Sequence, residues 1–195
     1  MSKVFGYPEY DEKGEKILTT YDNEYKAMMM DIRVYRMKAG ETRTFLREGE
    51  ETAVLLLSGN ITYKWNGNEA AATRKDVFTE GPWCVHGCTG TEIAVVANAE
   101  SQILVQRTKN EKDFGARLYK PEDAPWGYSC VGKFGNVAKR RVNTIFDHTF
   151  HRSPIWYLVK SSTTEETGPD ICHTDIHSRR HTSLNSTIRK DSEQA

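Results

Sequence analysis

Across residues 28–150, apolar clusters alternate with turn residues at short, fairly even intervals. The clusters read MMMDIRVYRM, TAVLLLSG, NITYKW, DVFTEGPWCV, TEIAVVAN and QILVQR. They are rich in β-branched and aromatic residues and bounded by Gly and Asn, which is the composition of strands. No apolar stripe at helical spacing persists for three turns, so no long helix is expected. Asn66-Gly67, between NITYKW and the next polar run, predicts a tight hairpin, because both central residues of that turn need positive φ. Ser58-Gly59-Asn60 and Ala39-Gly40-Glu41 read as further turns. Many short strands with such punctuation predict an all-β antiparallel sandwich or barrel.

The flanks differ from this middle. Residues 1–27 are polar and read as an edge strand or a loose arm. The stretch 109–139, rich in Gly, Pro and Asp, reads as a long ordered loop of the kind that often carries function. After Val159 the only apolar residues are Ile171, Cys172, Ile176, Leu184, Ile188 and Ala195, and Ser and Thr are dense. Burial in such a segment cannot offset the entropy of ordering it, so residues 151–195 are expected to be disordered.

Composition narrows the function classes. The 27 basic and 27 acidic side chains cancel, leaving no cationic field to hold nucleic acid or an anionic membrane. No apolar run approaches the ~18 residues of a membrane span, and the N-terminus has no signal-peptide core. Four cysteines in 195 residues are too sparse for a disulfide scaffold, so a reduced, cytoplasmic setting is expected.

Several strings, in order, point to a family. Glu50-Glu51-Thr52-Ala53-Val54-Leu55-Leu56-Leu57-Ser58-Gly59 resembles the "E-x-A-V-x-L-L-S-G" strand of the cupin sugar isomerases of inositol catabolism. Arg74-Lys75-Asp76-Val77-Phe78 resembles their "R-x-x-V-F" segment, and Glu92 to Ala97 the strand that follows. Gln106 to Asn110, Tyr119-Lys120-Pro121 and Arg140-Arg141-Val142-Asn143-Thr144-Ile145 continue the series. The resemblance is to the 5-deoxy-glucuronate isomerases and covers the first of their two cupin barrels. It implies a cupin-like antiparallel β-barrel or jelly roll, the first half of a bicupin, over residues 28–150. It also implies interconversion of 5-deoxy-glucuronate and 2-deoxy-5-keto-gluconate in myo-inositol breakdown, with a divalent metal, Zn or Mn, held by the second barrel. A non-catalytic sugar-acid-binding module and a remnant of the related 4-deoxy-5-keto-uronate isomerase are the alternatives.

The metal-binding motif of that second barrel, "S-N-L-V-x-G-E-V-x-N-x-x-G-x-W-S-S-Y-P-P-H-x-H-x-Q-P-E", is not visible in the chain. It is legible one base out of phase. Joining the third base of each codon to the first two of the next, the chain from Ser153 can spell S-N-L-V-(F or L)-G-E-V-I-N-Y. Trp156 into Tyr157 forces valine, and Thr167 into Gly168 allows tryptophan. The run around His173 gives P-H-R-H-S-Q-P-E. Agreement fails before the Asn-Trp, after the Ser and at the first Pro of the pair. The register is that of one lost base, and residues from about 151 are therefore expected to be a frameshifted product. On that reading no metal ligand of the family survives in frame, no cofactor is bound by this chain, and the chain is inactive.

The remaining chemistry is sparse. His86, after Trp83-Cys84-Val85, is a candidate substrate contact at a strand end, against the commoner role of a satisfied structural histidine. Arg140 and Arg141 are candidates for a bidentate grip on a substrate carboxylate, with Arg117 and Lys139 able to share it. Cys84 and Cys88 have no second pair and read as small apolar residues. Glu50 and Glu51, adjacent on a strand, point to opposite faces and cannot act as an acid/base pair. Cys172, His173, His177 and His181 cluster in the tail, where a site would lack an ordered scaffold, and they are not read as metal ligands. The expected partner is a small-molecule sugar acid, with self-association through the barrel face that the second barrel would cover.

Overall fold

The computed structural model describes residues 8–129, 140–147, 156–164, 171–178 and 183–189, with side chains over 8–128 and 142–146. The chain divides into two compact units. The first, residues 8–75 with Trp83–Leu118, is a cupin-like antiparallel barrel of strands, and its only helical element is a single 3-10 turn at Lys26–Met28. The boundary after Leu118 falls ahead of the composition shift at 151.

The strands of the first unit are β1 (Glu15–Thr19), β2 (Met30–Met37), β3 (Thr42–Phe45), β4 (Glu50–Trp65), β5 (Asn68–Arg74), β6 (Trp83–Gly87), β7 (Ile93–Ala97), β8 (Ser101–Lys109) and β9 (Ala116–Tyr119). One sheet runs β1-β2-β8-β4-β6-β9. In the other, β4 pairs with β5 and β7, and β7 with β3. Strand β4 therefore belongs to both. Its first half, Glu50 to Ser58, pairs with β8, and its second half, Gly59 to Trp65, pairs with β5. The register shifts between Leu56 and Ser58, and Gly59 has φ +110°. The turn expected at Ser58-Gly59-Asn60 is thus a bulge inside one long strand. Bulges of this kind let a strand turn the corner from one packed sheet to the next.

Between the two sheets lies an apolar core that includes Tyr35, Phe45, Val54, Leu56, Ile61, Tyr63, Val85, Ile93, Val95, Ile103 and Val105. Tyr63 is fully buried, and its hydroxyl donates to the carbonyls of Val54 and Trp83 at 3.1 Å, so the polar tip has partners. The run Ala53-Val54-Leu55-Leu56-Leu57 is buried at every position. Its continuity, in place of alternation, reflects a strand covered on both faces. The Asn-Gly hairpin forms as expected, with φ 44° at Asn66 and 76° at Gly67 joining β4 to β5. Ala39-Gly40 also turns, with Gly40 at φ 83°. The expected strand DVFTEGPWCV is only half a strand. Asp76 accepts from the backbone N–H groups of Phe78 and Thr79 at 2.8 Å, folding 76–82 into a turn before β6.

The N-terminal arm supplies β1, which pairs antiparallel with β2 at the sheet edge. The loop expected over 109–139 contains β9, a 3-10 turn at Pro121–Asp123 and β10 (Trp126–Ser129); its residues 130–139 lie outside those described. The second unit, 76–82 with 119 onward, holds the antiparallel sheet β10-β11-β12-β13-β14, with β11 at Arg140–Asp147. Within 151–195, which composition assigns to disorder, the segments Trp156–Thr164 (β12), Ile171–Ser178 (β13) and Ser183–Arg189 (β14) carry strand backbone; the rest lies outside the described residues. No helix among the described residues is long and apolar enough to cross a membrane.

A Cβ at Gly59 would sit 2.2 Å from Ser101 Oγ and 2.6 Å from the Glu100 carbonyl oxygen, in a left-handed conformation. Gly59→Ala is expected to lower stability by about 2–4 kcal/mol, combining backbone strain with overpacking. At Gly40, where nothing lies within 4 Å, the same change should cost about 1–2 kcal/mol, the strain alone. Denaturant midpoints of the two variants check this, and equal losses would contradict the corner's role.

Candidate functional site

Burial sorts the polar residues of the first unit into two clusters, one on each face of its larger sheet. The register sets His86 of β6 opposite Ala53 of β4, and Ala53 opposite Gln106 of β8, so all three share one face. Glu51, two residues before Ala53, shares it too. His86 and Glu51 are fully buried, with imidazole Nε2 3.6 Å from Glu51 Oε2. Asn110 Nδ2 donates to the same carboxylate oxygen at 3.1 Å. The Phe114 ring lies 5.2 Å from the imidazole, centroid to centroid. Gln106 is 1% exposed, and neither its amide nitrogen nor its oxygen has a hydrogen-bond partner among the described residues. The sequence therefore hid a partnership: the carboxylate beside His86 lies 35 residues upstream, on a neighbouring strand.

On the inner face, ion pairs close one end of the apolar core. Arg33 grips Asp31 with two parallel bonds of 2.7 Å and Glu15 with a third of the same length. Tyr35 donates to Glu15 at 2.9 Å. Arg107 reaches Asp31 at 3.4 Å and lies 5.5 Å from the centre of the Phe45 ring. The Tyr21 hydroxyl is pushed well above its usual range, first by burial and then by the nearby Glu50 charge. Bidentate guanidinium–carboxylate geometry of this kind fixes positions strongly. With its charges answered inside the cluster, the arrangement is a plug that holds β1 to β2 and shuts the core from water.

The other sequence-based candidates fall as follows. Glu50 is half-exposed while Glu51 is buried, as expected of strand neighbours facing opposite ways. Cys84 is a buried apolar residue whose thiol burial pushes up to about 12. Cys88 donates to Asp113 Oδ1 at 3.1 Å, which holds that carboxyl below its usual range, helped by the Gly115 N–H. Arg117 is exposed on β9. His86 belongs to the first unit, whereas Arg140 and Arg141 belong to the second. On β11, Arg140 stands opposite Ser129 and Arg141 opposite Tyr128; their side chains lie outside the described residues, as does Lys139. Cys172, His173 and His177 sit on β13, where only backbone is described, and His181 lies outside.

Among the described residues no group of three or more His, Cys, Asp and Glu side chains is placed to hold a metal ion. The buried pair Glu51–His86 brings two such ligands, and its Asn110 neighbour already points an N–H at the carboxylate. Catalytic zinc sites have three protein ligands and an open position. The described barrel does not fit one.

The second unit contains a cavity of about 190 Å³ lined by Thr79, Gly81, Pro121, Ala124, Trp126 and Asn143. Beside it Trp126 and Tyr128 are 55% and 45% exposed. Sequence reasoning marked the surrounding stretch 109–139 as a loop that often carries function but singled out neither aromatic residue.

The signature of the KduI/IolB family matches residues 6–166, which runs past residue 151, where the sequence leads one to expect a frameshifted product. An IolB-like protein of Salmonella typhimurium has a similar fold, with a TM-score of 0.64 at 15% identity over 86% of this chain and 75% of its own. A putative glyoxylate-induced protein of Pseudomonas aeruginosa gives 0.58 at 11% identity over 80% and 57%. No curated protein matches the sequence.

The Cys84 shift yields a pH test. The folded chain keeps this proton up to about 12, whereas an unfolded thiol loses it near 9.0. The associated stability is complete below 9.0 and is lost as pH rises toward about 12. Cys84→Ala should flatten the fall in unfolding free energy across that window. An unchanged slope would show that Cys84 is not held protonated.

Proposed function

Because the chain belongs to the KduI/IolB family, we propose that its barrel is the scaffold of a 5-deoxy-glucuronate isomerase and that this particular chain does not turn that substrate over. Membership supports an isomerase-type function in sugar metabolism. The choice of 5-deoxy-glucuronate, over the 4-deoxy-5-keto-uronate of the sister reaction, comes from the in-order strings running from Glu50 to Ile145.

The inactivity follows from what the reaction demands. An aldose–ketose shift removes a proton beside a carbonyl and returns it one carbon away. The enediolate between needs a fixed positive partner, which a divalent metal supplies as a Lewis acid. It also needs a base within hydrogen-bond reach. The observation that carries the proposal lies in the sequence, where the family's second-barrel metal motif is not legible in phase. The family's His-x-His and Glu are legible only out of phase.

The purified chain, supplied with Mn or Zn and 5-deoxy-glucuronate, is expected to show no turnover above background and less than one metal per chain. A version with the missing base restored is expected to gain both. Turnover by the chain as it stands, with one bound metal, would overturn the proposal. Comparing 5-deoxy-glucuronate with 4-deoxy-5-keto-uronate on the restored version decides the substrate.

A further inference from the structure

We propose that Asn66 is a self-modification site of the folded chain, where the Gly67 amide nitrogen displaces the side-chain ammonia, and that Asn68 restrains the step. Asn66 is the only asparagine in the sequence that precedes a glycine. The dipeptide is exposed at the tip of the β4–β5 hairpin, with φ 44° and 76°. The ladder ends at the pair Trp65 with Asn68, so Gly67 stands outside the register. Nothing lies within 4 Å of the place a Cβ on Gly67 would occupy. Without that Cβ the nitrogen is open to approach and the backbone is free to turn.

The step balances with water alone. The Gly67 nitrogen gives its proton to base and bonds to Asn66 Cγ, closing a succinimide ring. The Cγ–Nδ2 bond breaks and ammonia leaves. Water then opens one of the two ring carbonyls. One opening leaves aspartate. The other leaves isoaspartate, in which the main chain runs through Cγ. Nothing is oxidised or reduced. Isoaspartate adds a methylene to a two-residue loop whose geometry matches the strand twist only at its normal length, so the Trp65–Asn68 pair cannot close as before.

Geometry sets the rate. Before Gly67 N faces Cγ, Asn66 has to rotate about ψ, and its own carbonyl swings with that rotation. Asn68 Nδ2 donates to this carbonyl at 3.3 Å and to the Trp65 carbonyl at 3.2 Å, so a side-chain amide pins the group that must move. The next rung carries only the exposed ion pair of Lys64 and Glu69 at 3.3 Å. A tip held by solvent-exposed bonds opens locally at low cost. Asn98 is the contrast within the same chain. It is exposed too, but its Nδ2 donates to Asn60 Oδ1 at 2.8 Å and Thr62 Oγ1 at 3.0 Å, and the Cβ of Ala99 crowds the nitrogen that would attack.

The test incubates the folded full chain at mildly alkaline pH and follows its proteolytic peptides by chromatography and mass spectrometry. The peptide holding Asn66 is expected to gain one mass unit and split into two products of equal mass, at least about tenfold faster than the Asn98 peptide gains any. The intact chain, with 27 basic and 27 acidic side chains, should yield a species one charge more acidic on isoelectric focusing. Asn66→Gly, which keeps both positive φ angles, should abolish the change and leave the melting temperature near native. Asn68→Ala should speed the conversion several-fold while circular dichroism shows the chain folded. If the folded chain keeps the amide of Asn66 while the urea-unfolded chain loses it, the hairpin protects the residue and the proposal falls. Equal rates at Asn66 and Asn98 overturn the site, and a rate untouched by Asn68→Ala overturns the restraint.

Discussion

The bend in β4 at Gly59 is the constraint on which the first unit depends. One strand supplies hydrogen bonds to β8 and β6 before the bend and to β5 and β7 after it. Without that corner the two sheets would have no shared spine, and the apolar faces of Val54, Leu56, Ile61 and Tyr63 could not close over one core. The corner is tight because the chain passes against the start of β8. Ser101 Oγ accepts from the Asn60 N–H and donates to the Ala99 carbonyl. Those bonds occupy the space a side chain at 59 would need. A left-handed backbone and a close approach at the same residue select glycine on two independent grounds.

Once β4 is bent, the register decides where every polar group falls. Residues of even and odd number part to the two faces, so Glu51, His86 and Gln106 are carried to one side and Asp31, Arg33 and Arg107 to the other. Most residues of both sets are buried. The first is sealed, and the second is consumed in plugging the end of the core. A fold shared with sugar isomerases does not by itself confer their reaction, which depends on ligands that a scaffold can lose while remaining folded.

The legible parts of this structure were those written in neighbouring residues. Asn66-Gly67 was readable because both positions need positive φ and nothing else competes for that dipeptide. Ser58-Gly59-Asn60 was misread because a bulge and a turn ask the same of a glycine locally. Only the pairing of β4 with strands on both sides distinguishes them. The alternation of the clusters announced an all-β barrel, while the boundary after Leu118 depends on contacts that no local pattern records. Likewise Glu51, His86 and Gln106 sit on three strands and meet only through register. Beside His86, a glutamine inside the apolar run QILVQR was an available signal that this face carries something besides core. Trp126 and Tyr128 fell within the stretch read as a long loop, and their place on β10 depends on pairing with β11 that no local pattern records.

The central claim is that the chain keeps the family's barrel while its codons no longer spell the family's metal ligands in phase. The nucleotide sequence across codons 145–160 tests it most directly. The account predicts one base fewer than the family frame requires, with codons downstream that read Pro-His-Arg-His-Ser-Gln-Pro-Glu in the adjacent phase. Codons that cannot spell that run in any phase would contradict it.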